Sequence, residues 1–236
     1  DNVIYIPASH NGLPVREIDS YAFNNCSITE VHISEGITVI GDSAFQNCEE
    51  LISVTLPESL TEIGMSAFYE CIRLSSIVIP NNITEIKERT FYYNSSLSSL
   101  VIGGNVEIIG NEAFYCCYSL RSVSFPDSVK TIGSYAFSYA NSLDEIQFGE
   151  GLEEIMEGGF YFCRIRTLNL PDSLRIIGDY AFSSCGIREF NSNKVQSIGS
   201  YAFQECYNLK KVYINIGVEL LGCRIFEYSA IYMIYC

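Results

Sequence analysis

The stretch "IGDSAFQNC", residues 40–48, sets Cys48 three residues after Phe45, beside Gly41 and Asp42. Alone, Cys48 is open to four readings: reactive thiol, metal ligand, half of a disulfide, or core. The stretch recurs as "IGMSAFYEC" (63–71), "IGNEAFYCC" (109–117), "IGSYAFSYA" (132–140), "IGDYAFSSC" (177–185) and "IGSYAFQEC" (198–206). Phe marks the same place in ten units, at 23, 45, 68, 91, 114, 137, 160, 182, 203 and 226, at intervals of 21 to 23 residues. Five residues before each Phe stands Ile, or Leu221 in the last unit, and Ala precedes the Phe in seven units. Self-similarity at such a period is the mark of a stacked-repeat architecture.

Within one unit, "FQNCEELISVTLPESLTEIGMSA" (45–67), Val54 and Leu56 alternate with Ser53 and Thr55 before Pro57. Period-2 alternation stopped by Pro predicts a short strand with one face buried. "SLTEIG" (59–64) reads as an irregular, partly extended segment with Leu60 and Ile63 inward. Gly four residues before Phe in seven units suggests a positive φ there, with Asp19, Lys87 and Met156 as exceptions. "DSAFQNC" is too short for a stable helix and predicts one or two turns, 3₁₀ in type, with Asp42 or Ser43 as a cap. One unit of about seven inward apolar residues does not bury enough surface to fold alone, so the units must stack. The expectation is one solenoid over residues 1–236, with 1–17 as a lead-in.

The pattern "IGxxAFxxCxxLxxVxLPxxL" and the opening "IPASHNGLPVREIDSYAF" (6–23) resemble the BspA-like leucine-rich repeats of cell-surface proteins. The resemblance covers almost the whole chain. It implies a right-handed leucine-rich-repeat coil of α/β type. Each unit would carry one short parallel strand on the concave side and short 3₁₀ or irregular turns on the convex side. In the lead-in, "YIP" would end a strand and "HNGLP" would be an insertion before Val15. The resemblance also implies an extracellular or cell-surface setting.

Cys follows the Phe by three in seven units: Cys26, Cys48, Cys71, Cys117, Cys163, Cys185 and Cys206; Asn94, Ala140 and Ser229 take the place elsewhere. Replacement by small residues of mixed polarity fits a tight buried slot, and free Cys packs as a small hydrophobe. Cross-repeat disulfides remain open for an exported chain. One thiol per coil, without CxxC or HxxxH, does not make a four-ligand zinc site. Cys116, Cys223 and Cys236 fall off the ladder; Cys116 is expected to be exposed, and Cys236 to be the most reactive.

Twenty-eight acidic against fourteen basic residues give a net charge of −14, which repels phosphate backbones and anionic lipid. No apolar run is long enough to span a bilayer as a helix, and no export signal opens the chain. Two His and no phosphate loop, G-x-S-x-G or catalytic carboxylate pair leave no enzyme signature and no cofactor. "NCS" (25–27), "NIT" (82–84) and "NSS" (94–96) match the N-glycosylation pattern, which matters only in a eukaryote. Of seventeen Tyr, those two before the Phe (Tyr21, Tyr135, Tyr180, Tyr201) or just after it (Tyr69, Tyr92, Tyr115, Tyr161) read as half-buried covers between coils.

The outward strand positions are the residues the repeat leaves free. The candidate binding row is Glu30, His32, Glu145, Gln147, Thr167, Asn169, Glu189, Asn191, Lys211 and Tyr213, joined through the Ser/Thr-rich stretch with Val78 and Val101. A flat surface of adaptable hydrogen-bonding groups suits a protein partner, with a glycan as the alternative, better than a small molecule. The expected function is non-enzymatic recognition in adhesion or host interaction, against a structural spacer presenting another domain. Unit "FEYSAIYMIYC" (226–236) has no polar cap, which suggests either a chain cut short there or an edge covered by a neighbouring molecule, as in end-to-end self-association.

Overall fold

A computed structural model describes residues 2–235, so Cys236 lies outside it. The chain winds as a stack of about ten coils with no helix among the described residues. Each interior coil brings a similar apolar set to the same place, so identical residues pile on one another. The ten repeat phenylalanines form one column of parallel rings, with neighbouring centroids 5.0 to 5.8 Å apart from Phe23 to Phe226. Leu51, Leu60, Ala67 and Phe68 are fully buried beside it, as the unit pattern requires.

Most coils carry two strands rather than the expected one. The first set pairs in parallel: Val3–Ile6 on Glu30–Ile33, and that on Ser53–Thr55; then Ser76–Val78 with Ser99–Val101, Ser122–Ser124 with Glu145–Gln147, and Glu189–Asn191 with Lys211–Tyr213 and Met233–Tyr235. The second set is the segment read as irregular. Two-residue strands such as Val39–Ile40, Glu62–Ile63 and Ile109's pair Ile108–Ile109 stack from Glu17–Ile18 to Leu220–Leu221 in two sheets. A two-residue ladder is too short to leave an alternation that can be read from sequence. In the lead-in, Ser9–His10 and Leu13–Pro14 form an antiparallel hairpin whose tip, Asn11 (φ 52°) and Gly12 (φ 78°), has the backbone of a type I′ turn.

The Phe side is not 3₁₀. Around Phe45, the N–H groups of Ala44, Gln46 and Cys48 donate to Gly41, Ser43 and Phe45 in their own coil. Those of Ser43, Phe45 and Asn47 reach the carbonyls of Met65, Ala67 and Tyr69 in the next. A 3₁₀ helix would make every bond locally; here alternate peptides turn outward, so each donor is satisfied and the coils are tied together. The rotation comes from left-handed residues two before and two after the Phe in every unit, among them Ser43 (φ 54°), Asn47 (φ 58°), Ser66 and Glu70 (φ 54° each). Only one of these twenty positions is Gly, Gly158.

The repeat glycines four before the Phe have ordinary φ, contrary to expectation. Their reason is closeness. A Cβ on Gly64 would lie 2.5 Å from the Asp42 nitrogen and the Gly41 carbonyl carbon of the preceding coil. Asp42 caps no helix; its Oδ1 accepts from Met65 N–H in the next coil at 2.8 Å. Asn111 and Asp179 accept likewise from Ser134 and Ser200.

Candidate functional site

The thiol ladder bears first on chemistry. Cys48, Cys71, Cys117 and Cys206 are fully inaccessible, and Cys163 and Cys185 nearly so; all nine described cysteines are free. Each ladder thiol beyond the first coil donates to the carbonyl of the Phe one coil back: Cys48 to Phe23 at 3.1 Å, Cys71 to Phe45 at 3.2 Å, Cys163 to Phe137 at 3.1 Å. Asn94 Nδ2 and Ser229 Oγ make the same bond to Phe68 and Phe203, at 2.9 and 2.8 Å. The slot therefore wants a small donor, which explains why Cys, Asn and Ser share it; Ala140 fills the space without the bond. Burial pushes the Cys48 thiol up to about 11 and that of Cys206 to about 12, so neither is a thiolate near neutrality. Cys116 is not exposed as expected: it sits at 5% accessibility in one of the left-handed turn positions. Cys223 is exposed.

On the opposite side, parallel register builds two rows of outward side chains. Glu30 and His32 face Ser53 and Thr55; Ser122 and Ser124 face Glu145 and Gln147; Glu189 and Asn191 face Lys211 and Tyr213. Because the register is without slip, residues from separate coils become neighbours along the stack. His32 Nε2 lies 3.0 Å from Glu30, Lys211 Nζ 3.8 Å from Glu189, and Asn191 Oδ1 accepts from Asn193 N–H and Asn215 Nδ2. Val78 and Val101 are more than half exposed, and pair with each other in the Ser76–Val78 and Ser99–Val101 strands.

Thr167 and Asn169 depart from the expected strand: residues 164–171 carry no strand and the ladder is interrupted there. They stand as a wall between two hollows. One, of about 390 Å³, is lined by Ser122, Ser124, Glu145, Gln147 and both wall residues; the other, also about 390 Å³, by Arg166, Arg188, Glu189 and Asn191 with the same two. Sequence reasoning missed the ends of the rows. Tyr5, in register with His32, is 73% exposed and stacks on its ring at 4.7 Å; Tyr235 stacks on Tyr213 at 4.6 Å. The alternation of "VIYI" (3–6) carried the signal for Tyr5. The turn side also has stacked tyrosines, Tyr69, Tyr92 and Tyr115 at 4.7 and 4.9 Å, half-buried as expected of covers between coils.

Among the described residues, no group of three or more His, Cys, Asp or Glu is placed to hold a metal, and no helix is long and apolar enough to cross a membrane.

The family model for the BspA type leucine rich repeat region, in six copies, matches residues 16–143 and 107–232. A search of curated protein sequences finds no match. Among solved structures, a leucine-rich repeat protein of T. pallidum is 30% identical, with 78% of this chain and 76% of that one covered at a TM-score of 0.57. A leucine rich cell surface protein of Faecalibacterium prausnitzii is 24% identical over all of this chain and 69% of its own, at 0.61. The pneumococcal vaccine antigen PcpA is 21% identical over 98% and 68%, at 0.57. The last two share the fold, and the matched repeats run through nearly every coil: the chain belongs to the BspA-type leucine-rich repeat family.

Proposed function

We propose that the chain is a non-enzymatic recognition module of an extracellular or cell-surface protein, binding a protein on a neighbouring or host cell through its outward strand rows. The observation that carries this is the register. It aligns side chains from successive coils into rows, in four short ladders interrupted at Thr167 and Asn169, while the fold is held by residues on the other face of the same strands. Glu30, His32, Glu145, Gln147, Thr167, Asn169, Glu189, Asn191, Lys211 and Tyr213 are the proposed contact residues, and Tyr5 and Tyr235 extend them. The ring stacks of Tyr5 on His32 and of Tyr213 on Tyr235 give the polar, adaptable surface two aromatic patches of the residue type enriched in protein interfaces. Family membership supports a binding module, and the cell-surface relative supports the location.

Flow cytometry of labelled protein on intact cells tests the reading. Wild type should bind saturably, and Tyr213→Ala with Glu145→Lys should lose at least tenfold in affinity with an unchanged melting curve. Loss of binding only on removal of whole coils would favour a spacer instead.

A further inference from the structure

The repeat length is not uniform, and where two adjacent coils shorten together the surface opens. In the coil of Phe137, Ala140 and Leu143 are three residues apart, and in that of Phe203, Cys206 and Leu209 are likewise three apart. Between them, Cys163 to Ile165 and Cys185 to Ile187 take only two. All of these are buried ladder positions, so the missing residue is removed from the outside of two adjacent coils. The result is a notch two coils, or about 10 Å, wide. Its walls are the longer coils: Asn141 on one side, Tyr207 and Asn208 on the other. Two hollows of about 350 and about 270 Å³ lie in it, sharing Arg164, Gly186 and Asn208.

What lines the smaller hollow is unexpected for a chain of charge −14. Arg164, Arg166 and Arg188 converge on it with no carboxylate in its lining. Among the described residues none of the three makes an ion pair or a side-chain hydrogen bond, whereas Arg73, Lys87, Arg89, Lys130 and Lys194 each hold a carboxylate of a neighbouring coil. Arg166 and Arg188 are register neighbours, joined by the Arg188 N–H to Arg166 carbonyl bond at 3.3 Å, and Lys210 continues the row at 3.0 Å. Like charges one coil apart repel modestly at these exposed positions, and an anion among them relieves that repulsion. The larger hollow adds Phe162, 46% exposed, and Tyr207, 64% exposed, with Ser184 and Glu205.

We infer that this notch binds an acidic polysaccharide, its carboxylate or sulfate groups held by Arg164, Arg166 and Arg188. Guanidinium forks match both anions bidentately. The aromatic faces of Phe162 and Tyr207 suit the apolar face of a sugar ring, and Asn141 and Asn208 its hydroxyls. An acidic peptide is less well served, because the notch has no deep aliphatic pocket for a side-chain anchor. The overall negative charge does not forbid binding: at physiological salt, charges more than about 8 Å away are largely screened, and the three arginines are not. The site adjoins the protein-binding row, since Arg166 and Arg188 also line the hollow of Glu189 and Asn191. Arg164, Phe162 and Tyr207 lie outside that hollow, so loss of polysaccharide binding and loss of cell binding are scored by separate variants.

Calorimetric titration with a heparin oligosaccharide (sulfated) and with polygalacturonate (carboxylate only) at 50 and 150 mM NaCl tests it, with neutral dextran and polyglutamate as controls. At least one acidic polysaccharide should bind saturably and more weakly at the higher salt, while dextran does not bind. The triple variant Arg164→Gln, Arg166→Gln, Arg188→Gln should weaken that binding at least tenfold with an unchanged melting curve. Arg16→Gln, at the far end of the stack, and Tyr213→Ala should leave it intact. Absence of binding at 50 mM NaCl, equal binding by the triple variant, or polyglutamate binding as tightly would each overturn the inference.

Discussion

Cys71 shows how much one atom does in a repeated slot. Its sulfur fills space beside the phenylalanine column and its S–H gives a hydrogen bond to the Phe45 carbonyl, all without access to water. Cys71→Ala removes both and is expected to cost about 1–3 kcal/mol, whereas Cys71→Ser keeps a donor and should cost less. Urea denaturation of the two variants measures the difference; equal loss would mean that only volume matters. The buried thiols also set a pH limit. Burial pushes Cys48 and Cys206 up to about 11 and about 12, and raises Cys71, Cys117, Cys163 and Cys185 as well. An unfolded thiol loses its proton near about pH 8.5. The folded chain holds protons that the unfolded chain releases, so stability is complete below that value and drains away as pH rises through about 9 to 12. The thermal midpoint should be flat from about pH 6 to 8 and begin to fall from about 9, before the further loss above about 10 to which the raised Tyr69, Tyr92 and Tyr115 contribute. Replacing the ladder cysteines by Ser should remove the earlier part of the fall.

At the scale of the element, the two sides of each coil were unequally legible. The alternation of Val54 and Leu56 with Ser53 and Thr55 announced its strand, because one face is dry and the other wet. The Glu62–Ile63 strand had no such pattern, since two residues show no period. The interrupted strand at Thr167 and Asn169 looked regular in sequence, and the shortened spacing upstream does not mark it, because the coil of Cys185 and Ile187 is shortened likewise and keeps its strand at Glu189–Asn191. The turn glycines were noticed for the wrong property. Their φ is ordinary, and coil-to-coil approach excludes a side chain. Gly64→Ala must push apart backbone at 2.5 Å and should destabilise by about 1–3 kcal/mol, while Gly217→Ala, with nothing within 4 Å of its added Cβ, should be neutral. Thermal melts of the pair decide this; equal tolerance would contradict the close-approach account. The left-handed turn positions left no trace in sequence, because Ser, Tyr, Glu and Asn fill them as freely as Gly.

Over the whole molecule, cohesion is nearest-neighbour, as in other solenoids. Phe114 is fully buried between Phe91 and Phe137, so Phe114→Ala breaks two stacked contacts and should cost about 3–5 kcal/mol. Phe226, half-buried, stacked on Phe203 and only tilted against Phe190 at 6.4 Å, should cost clearly less. Denaturant midpoints check the order, and a reversal would mean that the last coil carries more of the stability than stacking allows. The proposed function rests on the same division of labour: the repeat fixes the inward residues and leaves the outward rows from Tyr5 to Tyr235 free to vary. The most direct test is saturation binding of the Glu145→Lys, Tyr213→Ala protein to intact cells, measured on material whose melting curve matches wild type. At least a tenfold loss of affinity is expected; undiminished binding would contradict the claim that these rows are the recognition surface.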